Sequence, residues 1–254
     1  MTSTSERRLP EWLKVRMPGS VGYIEMRQKL RTAELHTVCE EAHCPNIGEC
    51  WERRSATFMI LGDICTRACR YCAVSSGKPS AIDLDEPVRL ARTVEQLRLR
   101  YVVITSVDRD DLSDGGAWLF AECIRQIHKR LPECGVEVLI PDFQGDWGAL
   151  KTVLEAGPAV LNHNIETVRR VFKSVRAKGD YDLSLQLLAK SREMFPDIPS
   201  KSGIMVGLGE TRAELSRTMT DLRENGVDLL TVGQYLQPSK DHTKVDRFYN
   251  PLEF

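Results

Sequence analysis

No stretch of this 254-residue chain approaches the roughly 18 consecutive apolar residues that a membrane-spanning helix needs. The opening Met1-Thr-Ser-Thr-Ser-Glu-Arg-Arg-Leu-Pro10 has no apolar heart of the kind a secretion signal carries. Net charge is nearly absent as well. Against 36 acidic residues stand 35 basic ones, leaving −1, so neither nucleic acid nor a membrane surface is an expected partner. These absences make the cytosol the expected compartment. In a chain of this length with no secretion signal, eight cysteines do not read as a disulfide framework. What is present, 42% hydrophobic and 28% charged residues, suits one large globular α/β domain with a sizeable core.

Six of the cysteines fall into two compact triplets, too closely spaced to staple distant parts of a fold, so metal ligation is the expectation. Cys65, Cys69 and Cys72 lie in Ile64-Cys-Thr-Arg-Ala-Cys-Arg-Tyr-Cys72, just after the apolar run Thr57-Phe-Met-Ile-Leu61. A structural zinc site closes with four protein ligands, and so does an ordinary [4Fe-4S] cluster. Three thiolates from one loop would leave one iron open to a small molecule. Cys39, Cys44 and Cys50 form the second triplet, in Cys39-Glu-Glu-Ala-His-Cys44-Pro-Asn-Ile-Gly-Glu-Cys50. There, spacing also allows zinc, with His36 or His43 as fourth ligand. Cys123 shares helical spacing with Phe120, Ile124 and Ile127 and reads as a small buried hydrophobe. Cys134, in a loop before a strand, is assigned nothing.

Short apolar runs rich in β-branched residues predict strands at 56–61, 101–107, 136–141, 159–165, 203–208 and 229–236, each buried on both faces. Between them, Asp85-Glu-Pro87 opens one helix. Asp114-Gly-Gly-Ala-Trp118 opens a second, with a stripe of Ala117, Phe120, Ala121, Ile124, Ile127 and Leu131. Thr211-Arg-Ala-Glu214 is a capping box whose helix stops at Asn225-Gly226. Repeated βα units in one composition regime predict a single parallel sheet, α/β in class; periodicity alone leaves a curled and an open sheet equally possible.

In a curled sheet of this kind the ligand site lies where the strands end. The exits are polar although the strands are apolar: the Cys65 loop, Thr105-Ser-Val-Asp-Arg-Asp-Asp111, Pro141-Asp-Phe-Gln144, Asn162-His-Asn-Ile-Glu166, Gly207-Leu-Gly-Glu210 and Gln234-Tyr-Leu-Gln237. Plainer roles compete. Asp114 fits a helix N-terminus, which does not account for Asp108 and Arg109. His163 alone is better read as a hydrogen-bonded structural histidine.

The C-x3-C-x2-C spacing resembles that of the radical S-adenosylmethionine enzymes. With the preceding C-x4-C-x5-C triplet, and with Met59-Ile-Leu-Gly-Asp63, Val103 to Leu112, Asn162 to Thr167 and Gly203 to Glu210, the chain resembles the lipoyl synthase family from about Leu35 to Phe254. The resemblance implies a partial TIM-like (β/α)6 barrel over 56–237, a cysteine-bearing N-terminal extension over 1–55 and a C-terminal segment over 238–254. It implies two [4Fe-4S] clusters, S-adenosyl-L-methionine, and a 5′-deoxyadenosyl radical that attacks unactivated C–H bonds. The second cluster would be consumed as sulfur donor at C6 and C8 of an octanoyl chain. That chain would hang from a lysine of a lipoyl carrier domain, in a 2-oxoacid dehydrogenase E2 or a glycine cleavage H protein; flavodoxin or ferredoxin would supply electrons.

For the cofactor, the resemblance implies Tyr71 beside the adenine, and Asn164, Glu166 and Arg176 on the ribose hydroxyls or the methionine carboxylate. Thr105, Ser106, Met205 and Leu236 join the expected contacts, and Gly207 and Gly209 are expected to give backbone room to the adenosyl group. One departure stands out. In the family a serine from a late Arg-Ser-Ser motif completes the auxiliary cluster, whereas this chain ends at Asn250-Pro-Leu-Glu-Phe254. Arg54-Ser55 lies too close to the first triplet to serve, so a truncated chain is the expectation. The alternatives are a different sulfur-inserting radical enzyme or a non-catalytic iron–sulfur protein.

Overall fold

The computed structural model describes residues 9–15, 18–53 and 55–254. The opening Met1–Arg8 and Arg54 lie outside the described residues. In chain order the strands are β1 (His36–Thr37), β2 (Thr57–Ile60), β3 (Ile64–Cys65), β4 (Ser75–Ser76), β5 (Tyr101–Ser106), β6 (Gly135–Leu139), β7 (Val160–Asn162), β8 (Ser200–Val206) and β9 (Leu229–Gln234). The helices are α1 (Val21–Thr32), α2 (Val38–Glu41), α3 (Ile47–Glu52), α4 (Glu86–Leu97), α5 (Ala117–Arg130), α6 (Trp147–Glu155), α7 (Arg169–Val175), α8 (Tyr181–Met194) and α9 (Arg212–Glu224).

All six expected strands form, in the order β2-β5-β6-β7-β8-β9 and parallel throughout. Two short ladders carry no periodic signal in the sequence. β1 adds to the outer edge of β2 as an antiparallel strand, His36 opposite Met59, and so joins the N-terminal extension to the same sheet. β3 pairs with β4 in parallel and closes the Cys65 loop at its base. The fourth expected strand is shorter than 159–165: regular pairing ends at Asn162, beyond which the His163 N–H donates to the Lys201 carbonyl, the Ile165 N–H to Ser202 Oγ, and Glu166 bridges Ile204.

Two apolar layers pack on the sheet. Leu90, Val94, Phe120, Ile124, Leu150 and Val153 of α4, α5 and α6 cover one part, sealed with Phe58, Ile104 and Val138 from the strands. Phe172, Leu188 and Leu222 of α7, α8 and α9 form the other with Ile204 and Val206. The stripe read along α5 is buried from Ala117 to Ile127, with Cys123 buried within it, and Leu131, just past the helix end, is half-buried. Asp114 accepts hydrogen bonds from the Gly116 and Trp118 amides, as a helix-opening acid should. The Thr211/Glu214 capping box is present, and Gly226 ends that helix at φ +78°, in the left-handed region that glycine tolerates.

Candidate active site

Consecutive strand exits of β2, β5, β6 and β7 converge on a cavity of about 260 Å³. Cys65, Cys69, Tyr71 and Cys72 form one wall, with Thr105 and Ser106 at the end of β5 and Asp108 just beyond it. Asn164, Glu166 and Arg176 close the far side. Six of the eight residues expected to touch a cofactor therefore share one space. Met205 and Leu236 do not line it. Met205 packs on the second apolar layer instead, and β9 ends at Gln234, two residues short of Leu236. Gly207 and Gly209 do not line the cavity either. A Cβ on Gly207 would come within 2.3 Å of Gln234 Nε2 and 2.6 Å of the Arg247 carbonyl oxygen, so its open side receives this chain's own C-terminal segment.

A residue that the sequence reading passed over holds the cysteine loop. Arg67, between Cys65 and Cys69, is 4% exposed. Its Nε donates to Asp110 at 2.9 Å, and Nη1 and Nη2 donate to Asp142 at 2.6 and 2.7 Å. Asp108 stands 3.5 Å away. Planar guanidinium suits this two-carboxylate clamp, which a lysine could not make. Burial alone would raise Asp142, but the Arg67 hydrogen bonds bring it down to about 2. The signal was visible as two arginines inside the motif, Arg67 and Arg70, and four aspartates at two strand exits; only the fold showed that Arg67 meets Asp108, Asp110 and Asp142. Arg109, the neighbour of Asp108, instead ties Asp111 to the Leu61 and Ser80 carbonyls, away from the cavity.

Electrostatics make the cavity a place for a polar ligand. Burial pushes the thiols of Cys65 and Cys69 up to about 11 and about 12. Asp108 is raised by burial against the pull of Arg67 and Arg176, and Glu166 by burial against Arg176. Three buried polar atoms at the cavity make no hydrogen bond: Ser106 Oγ, Arg176 Nε and Asp108 Oδ1, the last of which has only the longer ion-pair contact with Arg67 at 3.5 Å to set against its burial. Burying such groups unpaired is destabilising by about 1–3 kcal/mol each, so a donor-and-acceptor-rich ligand fits here. His163 is the structural histidine expected: Nδ1 lies 2.9 Å from the Ile140 carbonyl and Nε2 3.1 Å from Ser184 Oγ. Burial, with Arg176 nearby, lowers it to about 4.

The second triplet lies alongside. Cys39 sits in α2, Cys50 in α3 and Cys44 in the turn between, where its N–H donates to the Cys39 carbonyl. Val38, beside Cys39, lines the cavity, because the β1–β2 pairing carries α2 to its rim. Among the described residues, no three His, Cys, Asp or Glu side chains converge in metal-holding geometry. The donor sets nevertheless suit iron–sulfur clusters: two groups of three thiols, one facing unpartnered polar atoms.

Residues 59–222 match the Radical SAM superfamily, and residues 1–44 match the N-terminal domain of lipoyl synthase of the Radical SAM family. The lipoyl synthase of Symbiobacterium thermophilum is 59% identical over 97% of this chain and 77% of its own length. That of Rubrobacter xylanophilus is 55% identical over 96% and 76%. The chain belongs to the lipoyl synthase family. It is accordingly a radical SAM sulfur-inserting enzyme, and the superfamily implies a [4Fe-4S] cluster and S-adenosylmethionine. In fold it is similar to methylornithine synthase, with a TM-score of 0.59 at 14% identity over 77% of this chain and 57% of that one. That likeness fits the partial TIM-like barrel. Among the described residues no helix is long and apolar enough to cross a membrane.

Proposed function

We propose that Cys65, Cys69 and Cys72 hold the S-adenosylmethionine-binding [4Fe-4S] cluster, and that Cys39, Cys44 and Cys50 hold a second cluster that donates sulfur. The substrate is an octanoyl chain on a lysine of a lipoyl carrier domain, from a 2-oxoacid dehydrogenase E2 or a glycine cleavage H protein. Sulfur enters at C6 and C8. A flavodoxin or ferredoxin is the reductant, and the enzyme works in the cytosol. Bound together, the reduced cluster and S-adenosylmethionine supply a radical able to take hydrogen from an unactivated C–H bond.

The chain's own residues bind and orient. Arg176, buried with Nε unpartnered, receives the methionyl carboxylate. Asn164 and Glu166 take the ribose hydroxyls, Tyr71 packs beside the adenine, and Thr105 and Ser106 supply hydroxyls from the end of β5. Arg67 holds the loop in place, and the apolar strand ends Met59, Leu139 and Ile140 keep water from the reacting carbon. One observation carries this reading: the three-thiol loop and the Ser106, Asp108 and Arg176 atoms that make no hydrogen bond face a single cavity, which Val38, next to Cys39, also lines.

Anaerobic reconstitution tests it. About eight irons per chain are expected if each triplet takes a four-iron cluster. Turnover with dithionite and S-adenosylmethionine on an octanoylated lipoyl-domain peptide should release 5′-deoxyadenosine and add two sulfurs by mass spectrometry. Half the iron, with deoxyadenosine but no sulfur gained, would remove the donor role from Cys39, Cys44 and Cys50.

A further inference from the structure

Arg70 lies between Cys69 and Cys72 in the motif, yet it is exposed and stands outside the cavity that the thiols line. Its backbone is fixed on both sides. The Arg70 N–H donates to the Val175 carbonyl at 2.8 Å, and its carbonyl accepts from the Thr243 N–H at 2.8 Å. The His242 ring meets the adjoining Cys72 carbonyl at 2.9 Å. The outer side of the cysteine loop, the end of α7 and residues 240–244 therefore enclose one surface depression, lined by Arg70, Lys240 and Lys244. Asp241 is the only carboxylate among the described residues of that lining. Lys178 adds a further exposed cation over the loop, where it donates to the Thr66 carbonyl at 2.8 Å. Arg169 and Arg170 of α7 are tied to Asp182 and Glu214, whereas Arg70, Lys240 and Lys244 have no ion-pair partner among the described residues. In a chain of net charge −1, this is positive charge gathered at one place. Exposed charges of one sign steer and orient an oppositely charged partner more than they hold a fold together.

We infer that this depression is the docking surface for the electron donor, a small acidic one-electron carrier protein. The inference rests on the cluster and reductant reading above. One electron leaves the carrier, which is oxidised, and enters the centre held by Cys65, Cys69 and Cys72, which is reduced. Position favours this occupant over the lipoyl carrier domain. Arg70 and the thiols lie on different sides of the loop, so a protein on the depression is close to the loop without facing the cavity. A reductant needs only that closeness, whereas the lipoyl carrier must deliver its acyl chain into the cavity. Electron-transfer encounters are also small and short-lived, which suits a compact charged patch.

The test compares the full reconstituted chain with Lys240→Glu/Lys244→Glu and with Lys129→Glu/Lys151→Glu, an equal charge change at exposed positions of α5 and α6. The probes are an acidic flavodoxin and an acidic ferredoxin, with association followed by surface plasmon resonance at several salt concentrations. The first variant should associate about tenfold more slowly and with a flatter salt dependence, while the second stays near the parent. Lys240→Gln/Lys244→Gln should fall between them. Deoxyadenosine release driven by the reduced carriers should drop in step, while release and sulfur insertion driven by dithionite stay unchanged. Unaltered association of the first variant, or equal losses in both, overturns the inference and leaves the reductant reading standing. A fall in dithionite-driven sulfur insertion on an octanoylated lipoyl domain overturns it too, since the surface would then serve that partner. A parent chain that neither binds these carriers nor takes electrons from them removes the reductant reading itself.

Discussion

The two cysteine triplets are neighbours in sequence and in space, yet the fold holds them by different means. The Cys65 loop is pinned by charge: Arg67 binds Asp110 and Asp142 from within it, Thr66 binds the Asp108 carbonyl, and the His242 ring meets the Cys72 carbonyl at 2.9 Å. The Cys39–Cys50 segment is held by short-range backbone bonds in two brief helices and by one aromatic stack. Buried charged clamps are costly to break, whereas short helices reorganise readily. The difference matches the two proposed duties: one cluster must survive every turnover, and the other must be given up and rebuilt.

The largest effects should come from the ligands themselves. Changing Cys65, Cys69 and Cys72 to Ala should abolish deoxyadenosine release, whereas the same change at Cys39, Cys44 and Cys50 should spare that release and stop sulfur insertion. Product analysis by mass spectrometry separates the two, and equal losses from both triplets would break the comparison. Next comes the clamp. Arg67→Met leaves the buried Asp142 and the half-buried Asp110 without their cation, and a loss of about 3–5 kcal/mol is expected by denaturant titration. Loading of the first cluster should fall more than loading of the second.

His163 provides a smaller, pH-dependent effect on the same side of the molecule. Its folded value lies at about 4, below the ordinary 6.5, so between those values the unfolded chain binds a proton that the folded chain refuses. Stability should therefore be full above pH 6.5 and fall by about 3 kcal/mol as pH drops towards 4, taking about 1.36 kcal/mol per unit. A His163→Gln chain should lose that part of the slope in urea titrations between those two pH values. The smallest effect is expected from Tyr23→Leu, which removes the stack on Trp51. It should cost about 0.5–1.5 kcal/mol and loosen only the second triplet.

The parallel strands were legible as apolar runs such as Gly135–Leu139 and Val160–Asn162. The expectation of burial on both faces fails at Leu229–Gln234, an edge strand whose Leu229 and Leu230 are exposed because no further strand or helix layer covers it among the described residues. Helix ends were legible where capping chemistry is local, as at Thr211 and Gly226. β1 was not legible, since a two-residue ladder has no period to read. Of the residues singled out in the sequence, Cys65, Cys69, Cys72, Asn164, Glu166 and Arg176 line one cavity. Gly207 lies outside that lining, and the side left open by its missing side chain faces Gln234 and the Arg247 carbonyl, a meeting of distant segments that no local pattern announces.

By itself, the sequence determined which donors this protein has: two sets of three thiols, at spacings that depend only on a few neighbouring residues. Only the tertiary structure decided who faces whom. Arg67 meets Asp142 across 75 residues, Trp51 is sealed against Tyr23, and Val38, next to Cys39, reaches the cavity that Cys65, Cys69 and Cys72 line. Ligand spacing is a local property of the chain, but partners separated by whole βα units meet only through the register and curl of the sheet.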